Sequence, residues 1–294
     1  MVSVITLFSW IDNDLDMLKH GVDQVFKNTT EDFELIILDN EALPQTQEWF
    51  KILQDPRIRI LHLPRRFGVP EAYNYGINQS KSNLLYVFDS DICPNRKDWT
   101  QFAREFRPQE DWGKYCFNIP YGWFIEKDVH IKSICDFYHR FKDVVIPKLN
   151  DGVEFNKEIR NRIESDVDYF DGGIVYQSYD SDMYLVCKLA GIQKLYAEFN
   201  ALPKSMYPVS WSVEWDAVNG TRTKEDPAVA KMKDEYLTIK SRAYMACKWK
   251  LIRDSGLMND EQRNMIDIHR PCAEWLEGYI SMWENIKKEW RGII

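Results

Sequence analysis

The chain has 294 residues, of which 45% are hydrophobic, and this is enough for one large domain or for one domain with an appended piece. Its formal net charge of −8 disfavours nucleic acid as the main partner, because proteins that bind a phosphate backbone usually present a basic face. No stretch approaches the roughly 20 uncharged apolar residues of a membrane span, and the six scattered cysteines, without a CxxC pair, indicate free thiols in a reducing compartment such as the cytoplasm.

Strands and helices are predicted to alternate over the first third of the chain. Four apolar runs are predicted as strands, at Val2–Ser9, Phe33–Leu38, Ile58–Leu63 and Leu84–Phe88. The first of them begins without the basic region of a signal peptide. Apolar residues recur at helical spacing from Leu15 to Phe26, and Gly68–Ser80 is helix-like. This alternation is typical of a Rossmann-like α/β fold, with a mostly parallel central sheet flanked by helices and ligands at the carboxyl ends of its strands.

The remainder of the chain is less regular. Helices are predicted at Val153–Ser165, Asp182–Ala190, Ala228–Arg253 and Asp260–Trp290, and one late strand is predicted at Val209–Trp215. The sequence therefore predicts an α/β domain over residues 1–225 and a helical C-terminal extension over residues 226–294.

The acidic triplet Asp89-Ser90-Asp91 directly follows the fourth predicted strand. Two carboxylates two residues apart can reach one cation from a strand end. Mg²⁺ and Mn²⁺ prefer oxygen ligands and are commonly held by one or two carboxylates together with substrate phosphates. Asp89 and Asp91 are therefore candidate metal ligands, and the alternative is a polar strand exit with a capping aspartate.

The surroundings of this triplet resemble the family-2 inverting glycosyltransferases of the GT-A fold. The resemblance covers about residues 1–200 and is closest over residues 57–91, RIRILHLPRRFGVPEAYNYGINQSKSNLLYVFDSD. Gly68-Val69, Asn74, Gly76 and the triplet follow one another in the family's order and spacing. The resemblance implies a GT-A fold, a Mn²⁺ or Mg²⁺ ion, and a nucleoside-diphosphate sugar as donor, with UDP as the expected nucleotide.

The same resemblance assigns the donor site. Asp39, after the second strand, would accept a hydrogen bond from the imide N–H of uracil, and its alternative role is an N-cap for the following helix. Ser9, Trp10 and Asp12 would line the base pocket. Tyr73 stands where the family typically has an arginine that orders this site, which leaves the donor open. Gly68, Asn74, Asp89 and Ser90 complete the donor site on this interpretation. Arg66, next to Arg65, could supply positive charge towards the diphosphate, and solvated surface charge is the alternative.

A second acidic motif opens the helix that is predicted to end before Gly191. On the family's register Asp180 is the catalytic base, which takes the proton of the acceptor hydroxyl as it attacks the anomeric carbon. Capping and the helix dipole are the alternative explanation of an aspartate there. Asp182 is interpreted as the structural acid of the pair. The acceptor side is assigned to Gly172, Gly173 and Asp182, with a plain turn as the alternative for the glycines.

Many relatives supply a histidine from a late strand as a further metal ligand, and the comparable stretch here has none. Glu214 or Asp216 is the expected substitute, since hard cations accept carboxylates. The five histidines, His20, His62, His130, His139 and His269, are interpreted as surface or packing residues. The segment Ser241–Lys250 resembles a Tyr…Lys-Trp segment near the end of some relatives.

The predicted function is a metal-dependent transfer of a sugar from a nucleoside-diphosphate sugar to an acceptor hydroxyl, with inversion. The acceptor is open among a glycan, a lipid-linked sugar, a protein and a hydroxylated DNA base, the last being a viral DNA modification. The alternatives are a sugar-nucleotide pyrophosphorylase, for which Ser9–Asp12 lacks a Gly-rich phosphate loop, and a non-catalytic sugar- or nucleotide-binding module. The expected location is the cytoplasm. The alternatives are a peripheral position at the membrane and, for a virus-encoded enzyme, the cytoplasm of the host.

Overall fold

The computed structural model describes all residues except 10–14, 89–91, 94–96, 98, 101–114, 120–121, 151, 167, 177, 195–208, 211–227, 229–230, 269–274 and 290–294. Contacts between residues divide the chain into two compact units. The first comprises residues 1–66, 75–130 and 193–225, and the second comprises residues 67–74, 131–192 and 226–294. The segment predicted as a C-terminal extension is thus grouped with residues 131–192 in one larger unit.

A mostly parallel sheet forms the first unit. Its strands are β1 (Val2–Ser9), β2 (Phe33–Asn40), β3 (Ile58–His62), β4 (Leu84–Phe88), β6 (Tyr115–Ile119), β7 (Gly122–Glu126) and β8 (Gln193–Lys194), while β5 (Ile92–Cys93) pairs with β9 (Val209–Ser210). The order across the sheet is β3-β2-β1-β4-β7-β6-β8, and β1 to β4 are parallel. Only β7, among the described strands of this sheet, runs against its neighbours. The predicted α/β class, with a mostly parallel central sheet, is confirmed.

Side-chain burial explains why β1 and β2 lie in the middle of this sheet. Every residue of both strands is buried, as expected for parallel strands that are covered on both faces. Helix α1 (Leu15–Asn28) contributes to this core, and Phe8 of β1 stacks on Phe50 of α2 (Pro44–Ile52), with ring centroids 5.7 Å apart. In α3 (Val69–Gln79), a Cβ on Gly76 would lie 2.9 Å from the Ile5 side chain, so glycine permits this close helix–sheet contact.

Strand register sets which residues meet at the carboxyl edge of the sheet. Phe8 of β1 is opposite Asp39 of β2, and Asp39 is opposite His62 of β3. Ser9 is opposite Asn40 one residue further along. Three neighbouring strands therefore end at the same level, which is the level at which open α/β sheets bind their ligands.

Helices make up most of the second unit. They are α4 (Lys127–His139, which begins in the first unit), α5 (Lys142–Val145), α6 (Asn156–Glu164), α7 (Tyr179–Leu189), α8 (Thr238–Arg253), α9 (Asp260–Ile268) and α10 (Trp275–Ile286). A 3₁₀ turn, Ile146–Lys148, follows α5, and a π-helical turn, Met232–Leu237, leads into α8. None of the described helices combines the length and the apolar composition that crossing a bilayer requires.

The later predictions are confirmed in type but not in all their bounds. Helix α7 begins at Tyr179, three residues before the predicted start. The segment predicted as one helix over Asp260–Trp290 contains α9 and α10, separated by residues outside the described part. The predicted strand Val209–Trp215 is described only at Val209–Ser210.

Candidate active site

The Asp39 carboxylate lies at the carboxyl edge of the first unit and is almost fully buried. Its Oδ1 accepts a hydrogen bond from the Ala42 N–H at 2.9 Å, and its Oδ2 accepts from Gln47 Nε2 at 2.5 Å and from His62 Nδ1 at 2.6 Å. The residue that precedes α2 as its N-cap is Leu43, so Asp39 closes the turn before the helix rather than capping it. This carboxylate is therefore a fixed polar centre that ties β2 to β3 and to α2.

The other predicted donor residues of this unit are only partly described. Ser9 is buried at the end of β1, and the Arg66 guanidinium donates to Glu41 Oε2 at the surface. Trp10, Asp12, Asp89, Ser90, Asp91, Glu214 and Asp216 lie outside the described residues. Within the described part of the chain, no group of three or more His, Cys, Asp or Glu side chains could hold a metal ion. The predicted metal ligands are therefore supported by sequence alone.

Gly68 and Asn74 hold the start of α3 against a later segment of the second unit. A Cβ on Gly68 would lie 2.9 Å from the backbone of Val175, and the Val69 N–H donates to the Val175 carbonyl at 2.9 Å. The buried Asn74 amide forms two hydrogen bonds of 2.8 Å with the backbone of Phe170. Gly68 and Asn74 were predicted to bind the donor. In the structure they hold in place the segment that contains Gly172 and Gly173, which were predicted to bind the acceptor.

Tyr73 replaces the cation that the family typically has next to this asparagine. Its side chain is buried, and its ring lies 5.8 Å from the Phe170 ring and 6.2 Å from the Tyr179 ring. An aromatic cluster thus occupies the place that the resemblance assigns to an arginine. The positive charge in the interior of the second unit therefore comes from other residues.

A buried lysine supplies that charge. Lys248 of α8 has no exposed side-chain surface, and its Nζ lies 2.6 Å from Asp171 Oδ2 and 2.6 Å from Asp182 Oδ1. The same ammonium group donates to the Tyr138 hydroxyl at 3.1 Å. All three donor positions of the ammonium are satisfied, which is the condition for keeping a charge inside a protein.

Further hydrogen-bond donors contact the carboxylates of Asp171 and Asp182. The Tyr244 hydroxyl donates to Asp171 at 2.9 Å, and Trp249 Nε1 donates to Asp182 Oδ1 at 2.6 Å. Arg162, also buried, brings its Nε to 4.0 Å from Asp171. Two buried cations thus face two buried carboxylates. We name Tyr138, Arg162, Asp171, Asp182, Tyr244, Lys248 and Trp249 the buried charge cluster.

The cluster strongly perturbs the ionisation of its members. Burial on its own would raise the pKa of Asp171, but the charges of Lys248 and Arg162 hold that pKa below its usual range. Burial raises the pKa of Asp182. Burial would lower the pKa of Lys248, yet the two carboxylates raise it, so the lysine is charged at neutral pH. Burial also raises the pKa of Tyr138 to about 12, so this phenol stays a neutral partner.

Asp180 and Asp182 differ sharply although they lie in the same turn. Side chains two positions apart on an α-helix point to opposite sides, since each residue turns the helix by about 100°. Asp182 is buried in the cluster, whereas Asp180 is exposed in the first turn of α7 and accepts no hydrogen bond from the described residues. Asp180 is therefore open to a ligand. The burial of Asp182 favours a supporting role over contact with an acceptor.

The two predicted acceptor glycines also differ. A Cβ on Gly173 would lie 2.3 Å from the Tyr244 ring, and the Gly173 N–H donates to Asp171 Oδ1 at 3.0 Å. A Cβ on Gly172 would meet none of the described atoms within 4 Å. Gly173 is thus required by packing on the cluster, and only Gly172 borders open space.

Several residues of these sites escaped prediction. Asp171 directly precedes the glycine pair, and Tyr244, Lys248 and Trp249 belong to the segment whose likeness to relatives was noted without a role. A charged Lys248 among apolar neighbours in Ala243–Trp249 was the available signal. For His62 no sequence signal existed, because only the register of β2 and β3 places it beside Asp39.

Comparison with known proteins finds similarity to glycosyltransferases. Residues 11–149 match the family described as "Glycosyl transferase family 2". The chain is also 29% identical, over 93 residues, to the glycosyltransferase GlyG of Streptococcus pneumoniae serotype 4 (strain ATCC BAA-334 / TIGR4). That alignment spans 31% of this chain and 31% of GlyG, so the chain matches about a third of that relative's length.

Two solved structures show a distant likeness. One is S. aureus TarS 1-349 in complex with UDP-GlcNAc, at 16% identity and a TM-score of 0.32 over 40% of this chain and 34% of that chain. The other is the mannosyltransferase PcManGT from Pyrobaculum calidifontis in complex with GDP-Man and Mn²⁺, at 9% identity and a TM-score of 0.36 over 99% and 87%.

Proposed function

We propose that the chain, whose residues 11–149 match the family described as "Glycosyl transferase family 2", transfers a sugar from a nucleoside-diphosphate sugar to an acceptor hydroxyl. The likeness to GlyG supports the same reaction class. UDP is the expected nucleotide, and the configuration at the anomeric carbon is inverted. The acceptor is a glycan, a lipid-linked sugar, a protein or a hydroxylated DNA base, and the acceptor arm of the experiment below decides among them.

The contrast between Asp180 and Asp182 carries this proposal. A general base must be reachable by the proton that it removes, and it must be held in position. Asp180 is exposed at the start of α7, and Asp182 anchors the same turn through Lys248 and Trp249. A capping aspartate alone would need no such buried support one half-turn away.

Each group then has a defined part in the reaction. Asp180 removes the proton of the acceptor hydroxyl while its oxygen attacks the anomeric carbon. The nucleoside diphosphate leaves from the opposite face of the sugar, and this geometry inverts the configuration. Gly172 borders the approach of the acceptor, because it is the glycine of the pair with open space beside it.

The donor nucleotide is assigned to the carboxyl edge of the sheet. The chain order reverses between β1 and β4, and open α/β sheets bind nucleotides outside such a reversal. Ser9 ends β1 beside this reversal, and Asp39 lies one residue before the end of the next strand, β2. Asp89-Ser90-Asp91 follows β4 directly in the sequence. Carboxylates there suit Mn²⁺ or Mg²⁺, which would neutralise the leaving diphosphate.

The compartment is proposed from the thiols. Cys135 and Cys247 are free cysteines. Burial raises the pKa of Cys135 and brings that of Cys247 to about 11, so both stay as unreactive thiols. Unpaired cysteines are the usual state in the cytoplasm.

A donor screen tests the proposal. The full chain is incubated with Mn²⁺ and UDP-, GDP-, dTDP- and CMP-linked sugars, each with an oligosaccharide, a lipid-linked sugar, an unfolded protein or hydroxymethylated DNA. Released nucleotide is then measured. We expect release of a nucleoside diphosphate that increases with one acceptor class and stops with EDTA. Donor binding without turnover under every condition would instead support a non-catalytic module. Pyrophosphate-dependent conversion of the nucleotide sugar to a nucleoside triphosphate and a sugar 1-phosphate would support a pyrophosphorylase.

A further inference from the structure

Arg242 lies in the first half of α8 and contacts two further parts of the second unit. Its Nε donates to the Ser178 hydroxyl, directly before α7, at 3.4 Å, and its Nη1 donates to the Tyr279 hydroxyl of α10. We propose that Arg242 is a positioning residue of the transfer reaction, because by holding Ser178 it fixes the turn that presents Asp180 to the acceptor. The inference rests on the proposed function, in which Asp180 is the catalytic base.

Ser178 has a backbone conformation that a serine rarely adopts. Its φ is 73° and its ψ is 5°, in the left-handed region, where the Cβ of an L-residue is crowded. Its carbonyl accepts a hydrogen bond from the Asp182 N–H at 3.0 Å, so its orientation sets the first turn of α7. A strained conformation of this kind persists only where surrounding contacts hold it, and such residues are concentrated at functional sites.

The hydroxyl of Ser178 is engaged by α8 rather than by the helix that it precedes. A serine at this position usually accepts a hydrogen bond from a backbone N–H of the first helical turn. Within the described part of the chain, the Ser178 hydroxyl does not cap α7 and accepts from Arg242 instead. The side-chain contact that holds the start of α7 therefore comes from a residue 64 positions away in the sequence.

The guanidinium of Arg242 is itself held by α10. This planar group offers five N–H donors in a fixed arrangement, so it can bond to two partners at once. The Tyr279 hydroxyl accepts one hydrogen bond, and the guanidinium carbon lies 5.1 Å from the centre of the Tyr279 ring. Two contacts with one tyrosine restrict the guanidinium, so Arg242 can relate the positions of α8 and α10 to Ser178.

The residue before Arg242 holds the same segment at a second point. The Ser241 hydroxyl accepts hydrogen bonds from the Val175 N–H at 3.3 Å and from the Tyr176 N–H at 3.2 Å. Two consecutive residues of α8 thus fix the segment that leads into α7. Ser241 is buried whereas Arg242 is half-buried, so Arg242 is the residue that can be replaced with less damage to the core.

Hydrogen exchange tests whether Arg242 holds this turn, and it needs no substrate. Exchange of peptides spanning residues 178–189 is measured by mass spectrometry in the full chain of wild type, Arg242→Met and Ser178→Ala. The two variants remove the same contact from opposite sides, and Ser178→Ala leaves the guanidinium and its contacts with Tyr279 in place. We expect exchange in the first turn of α7 to be about 10-fold faster in both, because the turn opens more often.

Arg253→Met is the matched control. Arg253 also lies on α8, about three turns further along it, and also joins it to a neighbouring helix, through hydrogen bonds of 2.6 and 3.0 Å with Asp267 of α9. This variant reports the general effect of losing an arginine contact between helices of the second unit. We expect it to match wild type in the exchange of residues 178–189 and in kcat.

Kinetics test whether Arg242 acts through Asp180. Nucleotide release is measured with the nucleotide sugar and the acceptor class that turn over fastest in the screen above. We expect Arg242→Met to lower kcat about 10-fold with an unchanged donor KM, since a small displacement of a catalytic group slows the reaction without weakening binding. In an Asp180→Asn background the same substitution should have no further effect, because the base that it positions is already absent.

The outcomes separate the inference from the function beneath it. Wild-type exchange over residues 178–189 in both Arg242→Met and Ser178→Ala overturns the inference. A further fall in kcat of about 10-fold in the Asp180→Asn background overturns it as well, since Arg242 would then act on another part of the reaction. Absence of turnover with every donor contradicts the proposed function, whereas faster exchange in the two variants would still support the role of Arg242 in holding the turn.

Discussion

Asn74 and Phe170, 96 positions apart in the sequence, are joined by a reciprocal pair of hydrogen bonds. Asn74 Nδ2 donates to the Phe170 carbonyl at 2.8 Å, and Asn74 Oδ1 accepts from the Phe170 N–H at 2.8 Å. The amide acts as a substitute for a strand partner, because it offers one donor and one acceptor to a buried backbone. It thereby holds the residue next to Asp171 in place.

This pairing predicts a large loss of stability in Asn74→Leu. The Phe170 N–H would be left buried without a partner, whereas its carbonyl keeps a longer contact of 3.4 Å with Arg162 Nη1. One orphaned buried donor and one lost hydrogen bond together cost about 2–4 kcal/mol. Urea unfolding measures the difference. A loss below about 0.5 kcal/mol would show that the amide does not hold this segment.

The buried charge cluster predicts a second loss in Lys248→Met. Removal of the lysine leaves Asp171 and Asp182 buried with one fewer counter-charge, and breaking a buried pair costs about 3–5 kcal/mol. Lys250→Met, two residues along the same helix at an exposed position, is the control and should change stability by less than about 0.5 kcal/mol. Thermal unfolding of the two variants compares them, and equal midpoints would contradict the cluster's role.

The fold was predictable where the pattern is local. Apolar runs with helical segments between them predicted β1 to β4, and all four strands agree with the structure within about two residues. The cluster could not be predicted in this way. Lys248 contacts Asp171 and Asp182, which lie 77 and 66 positions away in the sequence, and a local hydrophobic pattern cannot predict contacts at such separations. Family likeness pointed to Asn74 and Asp39 as ligand-binding residues, and it did not predict the internal hydrogen bonds that both side chains form.

The glycine pair allows packing and acceptor binding to be separated. Gly173→Ala would drive a methyl group into the Tyr244 ring, and overpacking of this kind costs about 1–3 kcal/mol. Gly172→Ala meets open space and should leave the unfolding midpoint unchanged. We expect Gly172→Ala to raise the KM for the acceptor with little change in the KM for the donor. A normal acceptor KM in this folded variant would remove Gly172 from the acceptor site.

Glu34 predicts a pH dependence of stability in the first unit. Burial would raise its pKa, but hydrogen bonds from Ser3, from the Lys81 N–H and from Arg59 lower it. A lowered folded-state pKa adds stability above the unfolded pKa of about 4.3, and this stability is lost as the pH falls through the lower folded value.

Glu34→Gln removes this ionisation and is the variant to compare. At pH 7 we expect it to be less stable than wild type by about 1–2 kcal/mol, since a charge-assisted hydrogen bond becomes a neutral one. The difference should shrink as the pH falls below about 4. Urea unfolding between pH 3 and 7 measures it, and a difference that is constant across this range would contradict the lowered pKa.

Asp180 is the proposed catalytic base, and replacing its carboxylate is the most direct test of the proposed reaction. Asp180→Asn is compared with Asp260→Asn, which alters an exposed first-turn aspartate of α9 in the same unit. Nucleotide release with the identified donor and acceptor is measured beside the Kd for the donor. We predict that Asp180→Asn lowers kcat by about 10²–10⁴-fold with an unchanged donor Kd, while Asp260→Asn behaves as wild type. Equal kcat values in Asp180→Asn and wild type would contradict the assignment of the catalytic base.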